Sequence, residues 1–175
     1  MHRFTFCIAA LLAGTLASDA IAGDAVVGRE SGATVRERVI ELVNAARSEG
    51  RRCGSERFAA AAPLDASRQL NVAAADHARD MARRNYFDHR GRDGSQPKER
   101  VLRTGYEPRL SGENIAFGPE TAEEVVAGWL DSPGHCANIM EPKFKHIGVG
   151  VAMSKKRGRI YWVQTFGAPR PPTRR

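Results

Sequence analysis

The stretch from His146 to Phe166 leaves the chain least freedom. Ile147, Val149, Val151 and Met153 alternate with the small residues Gly148, Gly150 and Ala152, the period of two that belongs to an extended strand. Ile160, Trp162, Gln164 and Phe166 then alternate with Tyr161, Val163 and Thr165. Between the runs, Lys155 to Arg159 is charged and contains Gly158, so the two read as strands of an antiparallel hairpin. A hairpin alone is marginal in water. Its apolar faces need cover from the rest of the chain.

That cover is predicted to be helical. Val39, Leu42, Val43 and Ala46 fall at i, i+3, i+4 and i+7, the stripe of a helix from about Thr34 to Glu49, with Thr34 as cap and Gly50 as stop. Arg51 to Pro63 reads as a loop carrying Cys53. A longer helix is expected from about Asp65 to Asn85, with Leu70, Ala73, Ala74, His77, Ala78 and Met81 along one face. His77 therefore points inward and reads as a hydrogen-bonded core histidine. Pro97 suits a first helical position and opens a short helix to about Thr104, ended by Gly105. Ser111 to Gly118 is a short segment, apolar at Ile115 and Phe117 and flanked by glycines. Thr121 and Glu124 fit a capping box for a helix that buries Ala122, Val125, Val126 and Trp129, with Pro133 as its stop. Helices before and among a few late strands predict an α+β fold, with helices covering a small sheet.

Residues 1–22 have the three parts of a secretory signal: a basic start at His2 and Arg3, an apolar run from Phe4 to Ala17, and small residues at Ala20-Ile21-Ala22. The run has about 14 residues, against roughly 20 for a helix that spans a bilayer. The expected product is secreted or periplasmic and not transmembrane. Residues 23–33 read as a flexible leader, 34–168 as one domain and 169–175 as a disordered basic tail. After cleavage only Cys53 and Cys136 remain, and an even count in an exported chain predicts one disulfide. Closing that loop is worth at most about 4.5 kcal/mol in the chain-entropy model. The formal net charge is +7. No aromatic interleaving or nucleic-acid motif accompanies the basic clusters, which points away from nucleic acid and toward an anionic cell-envelope component.

His89, Glu113 and His135 carry the chemistry worth considering, each at a turn or element end. Two imidazoles and a carboxylate can bind zinc, and a site with two or three protein ligands keeps positions open for water or substrate. A hydrogen-bonded network without metal is the alternative. Ser132 near His135 is not a nucleophile elbow, and paired cysteines offer no thiolate. The glycines at 112, 118, 148 and 150 form no phosphate-cradling loop.

Six stretches in order, LVNAAR (42–47), HARDMARRNYFDH (77–89), GENIAFG (112–118), EEVVAGWLDSPGHCANIM (123–140), FKHIGVGVA (144–152) and YWVQTFG (161–167), resemble the CAP superfamily, also called SCP. The superfamily includes cysteine-rich secretory and plant pathogenesis-related proteins, and the likeness is to its compact bacterial branch. The resemblance implies an α-β-α sandwich with a small central antiparallel sheet flanked by helices. It also implies a cleft of two histidines and two acids. His89, Glu113 and His135 match three of these. The second acid falls at Ser132, a departure from the pattern, with Asp131 adjacent. Several members bind divalent metal in the cleft, or sterols and other lipids in separate grooves. By analogy, three functions follow: a secreted binding module that takes zinc and a lipid or envelope ligand, a metal-assisted hydrolase with Glu113 as general base, or a purely structural polar network.

Overall fold

The computed structural model describes residues 32–155 and 158–171. The expected hairpin forms from β5 (His146–Met153) and β6 (Ile160–Pro169), antiparallel, with Ile147 opposite Phe166 and Val151 opposite Trp162. On its other side β6 pairs antiparallel with β4 (Pro108–Phe117), which places Glu113 opposite Thr165 and Asn114 opposite Gln164. Residues 111–117 of the expected short segment are thus part of a ten-residue strand, and Glu113 lies within it and not at an element end as expected. A two-residue strand β3 (Asp65–Ala66) joins β5 in parallel, giving the order β3-β5-β6-β4. The sheet is antiparallel as expected except at that edge.

Both faces of the sheet are covered. α1 (Gly32–Arg47), α4 (Ala122–Asp131) and α5 (Pro133–Met140) lie on one face. There Val39, Val43, Val126, Trp129 and Ile139 pack with Ile147, Val149, Trp162 and Phe166. α2 (Arg68–Arg84) covers the other face, where Ala74, Ala78 and Met81 meet Tyr161, Val163 and Ile115. The small residues of β5 explain how close α2 comes. A Cβ on Gly148 would land on the backbone of Leu70 and Asn71, and one on Gly150 on that of Ala74 and Ala75. The alternation of β5 is therefore a large face toward one helical layer and an almost side-chain-free face toward the other. α3 (Pro97–Arg103) packs beside α2 and β4.

Several boundaries differ from expectation. α1 begins at Gly32, two residues ahead of the Thr34 cap. α2 begins at Arg68, capped by the Ser67 hydroxyl on the Leu70 amide, because Asp65 and Ala66 are held in the sheet. Arg51–Cys53 (β1) and Glu56–Phe58 (β2) form a small hairpin where a loop was expected. Pro133 does not only stop α4. It is the first residue of α5, a position where its missing N–H costs nothing. β6 runs on to Pro169 and the Arg170 amide bonds the Glu107 carbonyl, so the expected tail starts inside the sheet. The signal segment 1–22, the leader as far as residue 31, Lys156 and Arg157 of the hairpin turn, and residues 172–175 lie outside the described residues. Among the described residues, no helix is long and apolar enough to cross a membrane.

The disulfide between Cys53 and Cys136 is formed, with Cα atoms 5.4 Å apart across 83 residues of sequence. It fastens the β1–β2 hairpin to α5, next to His135.

Candidate functional site

The site wraps the outer edge of the sheet, where β4 is the last strand. One histidine reaches it from the α2–α3 connection, the other from the start of α5.

α2 ends at Asn85, whose left-handed backbone (φ 52°) is a conformation asparagine tolerates at a helix terminus. The chain then turns back through Tyr86, Phe87 and Asp88. Two buttresses hold it. His77, 1% exposed on the inner face of α2, donates its Nε2–H to the Asp88 carbonyl at 2.9 Å. Arg100 donates to the His89 carbonyl at 2.9 Å. His77 is thus the bonded core histidine its stripe position predicts, and burial lowers its pKa.

His89, with its ring half exposed, donates Nδ1–H to Glu113 Oε1 at 2.8 Å. The second Glu113 oxygen accepts from Arg100 at 2.8 Å, and both of these side chains are buried, 3% and 9% exposed. Glu113 therefore has two charge-assisted partners. The bond to Glu113 is the main cause raising the His89 pKa. It also fixes the ring as the Nδ1–H tautomer whenever neutral, leaving Nε2 as the open nitrogen.

His135 is the third residue of α5. Its pKa is lowered by burial first and by the charge of His89 second, so the two imidazoles share one electrostatic neighbourhood. Its backbone is tied in by a polar layer inside the fold. Asn114 donates to the His135 carbonyl (3.1 Å) and to Gln164 Oε1 (2.9 Å), while Asn138 donates to Asn114 Oδ1 (2.9 Å) and the Glu113 carbonyl (3.3 Å). Asn114 and Gln164 are fully buried. The layer locks α5 onto β4 and β6.

The structure thus joins His89 to Glu113 and brings His135 within electrostatic reach of His89. Asp131, at the exposed end of α4, makes no hydrogen bond to any of the three among the described residues, and Ser132 serves as the residue before α5. Among the described residues, no group of three or more His, Cys, Asp and Glu side chains could hold a metal ion. Sequence reasoning missed Arg100, Asn114, Asn138 and Gln164. The asparagines lie in the GEN and GHCAN stretches, but nothing at Arg100 distinguishes a buried arginine from an exposed one.

Residues 40–166 match the model of the family described as CAP, the cysteine-rich secretory protein family. YkwD of Bacillus subtilis (strain 168) is 38% identical over 130 residues, 74% of this chain and 46% of YkwD. Among solved structures, an extracellular protein containing a SCP domain from Bacillus anthracis str. Ames superposes with TM-score 0.64 at 25% identity, covering 80% of this chain and 44% of that one. NaASP2, crystallised with Zn2+, superposes with TM-score 0.54 at 16% identity, over 77% of this chain and 79% of its own. The chain spans less than half the length of the two bacterial relatives.

Proposed function

The chain belongs to the CAP family of cysteine-rich secretory proteins, and from that premise we propose that it is a secreted or periplasmic binding module, 34–168, whose cleft takes zinc between His89 and His135. The observation that carries this reading is the Glu113–His89 bond. A carboxylate on Nδ1 orients the ring, raises its basicity and frees Nε2, as outer carboxylates do for metal-bound histidines. The environment of His135 favours the neutral imidazole, the form a metal needs. Glu113 acts here as an orienting group and not as a ligand, since both its oxygens are engaged. With two protein ligands, the remaining zinc positions are left to water or an incoming ligand. Bound there, zinc would supply Lewis acidity toward an oxygen of that ligand. The zinc in NaASP2 supports the choice of metal. Export is supported by the disulfide, by the signal-like residues 1–22, and by the extracellular relative in Bacillus anthracis. An anionic envelope component or its lipid would meet a chain of net charge +7.

The hydrolase reading needs Glu113 as a free base, and its two partners argue against that role. The structural reading has a specific support in the buried Arg100–Glu113 pair. Calorimetric zinc titration of the wild type, His89→Ala, His135→Ala and Glu113→Gln separates the two. One-to-one binding, lost in both histidine variants and weakened roughly 10–100-fold in Glu113→Gln, is the expected result. Absence of saturable binding, or binding that survives both histidine changes, defeats the metal site. A stability loss in metal-free His135→Ala would then speak for the network.

A further inference from the structure

A second recess shares Arg100 with the cleft and opens between α2 and α3. Its volume is about 450 Å³, within the ~300–1,000 Å³ typical of small-ligand pockets. Arg79, Arg83 and Arg84 of α2 and Arg100 and Arg103 of α3 line it, against three aspartates. Those acids are already engaged. Asp76 pairs with Arg79, Asp80 with Arg83, Arg84 and the Tyr86 hydroxyl, and Asp93 with Arg103 and Ser95. Val72 and Ala73 add an apolar wall.

Arg100 is the buried member of the arginine set. It is 8% exposed. Its terminal nitrogens serve the Ser95 and His89 carbonyls and Glu113. Its Nε–H is buried and has no hydrogen-bond partner among the described residues. A buried charged donor without an acceptor is rare in a folded protein, and here it sits on a side chain lining a cavity rich in guanidinium groups.

We propose that this recess binds a small organic oxyanion, a phosphomonoester or a carboxylate, and that a shift of the Arg100 side chain on binding brings its unpartnered Nε–H to the ligand as the inner donor. Arg83 and Arg103 flank it from the two helices. Guanidinium groups meet such oxyanions in bidentate geometry, and five arginines against three aspartates leave the recess net positive. Val72 and Ala73 take the apolar body of the ligand. The site needs no metal at the histidines.

Full-chain protein freed of metal by chelation is titrated with phenyl phosphate and with benzoate, followed by calorimetry and by the arginine Nε–H resonances. At least one probe is expected to bind one-to-one, with the Arg100 resonance shifting in step with occupancy. The tighter probe identifies the head group. Arg83→Ala and Arg103→Ala, both at exposed side chains, should each weaken binding by on the order of tenfold. Arg52→Ala, an equal loss of charge on the β1–β2 hairpin, should leave it unchanged. Lack of saturation by either probe overturns the proposal. So does binding that leaves the Arg100 resonance in place, or that falls equally in Arg52→Ala.

Discussion

Glu113 is the residue on which the His89 side of the cleft depends. It holds His89 through one oxygen and neutralises buried Arg100 through the other. Glu113→Ala would strand that guanidinium, and breaking a buried pair typically costs roughly 3–5 kcal/mol, readable as a shift in the urea midpoint. In Glu113→Gln the His89 pKa, now raised, should fall toward the ordinary histidine value, as followed by NMR titration of the ring protons. His77 gives a separate pH dependence. Burial lowers its folded pKa below the unfolded value of 6.5, so the unfolded chain binds the extra proton. Its contribution to stability is intact above about 6.5 and is lost as pH falls from there through the folded value. Denaturation at pH 7 and pH 5 should show that loss in the wild type and a smaller one in His77→Gln. The candidate site was only half legible from residue types. His89 stands on a turn and His135 in the first turn of α5, where polar residues are conspicuous, whereas Glu113 lies in the middle of β4 and stood out only within the GEN stretch. Arg100 lies in a short helix reading PKERVLR, where burial of one arginine leaves no trace in the pattern.

At the scale of elements, the close contact of α2 with β5 is the most demanding packing in the fold. Gly150→Ala would drive a methyl into the helix backbone, which cannot yield as a side chain would. The expected cost is roughly 3 kcal/mol, the upper part of the usual overpacking range. Gly128→Ala, where a Cβ meets nothing within 4 Å, should be no less stable than wild type in the same urea titration. Elements with a long period were legible. The Thr121 capping box appears where the sequence predicts it, and the β5–β6 hairpin and α2 appear with shifted ends. α5 escapes the sequence pattern because Pro133, which ends α4, also follows Ser132 as the first residue of a new helix. β1, β2 and β3 have two or three residues each, too short to display any alternation.

Across the whole molecule, one covalent link joins the hairpin after α1 to the helix that carries His135. Replacing both cysteines by alanine should cost up to about 4.5 kcal/mol in the chain-entropy model. Hydrogen exchange should then rise in α5 before it rises in β6, and zinc affinity should fall with it. The position of β6 has a consequence for how the protein is made. It is the middle strand, bonded to both β5 and β4, and it follows every other described element in the sequence. A ribosome that has reached Met153 has produced β4 and β5 with nothing yet to lie between them. The sheet cannot close until about residue 169 is delivered. That late keystone makes sheet closure one of the last events of synthesis, and until then β4 and β5 lack the strand they share.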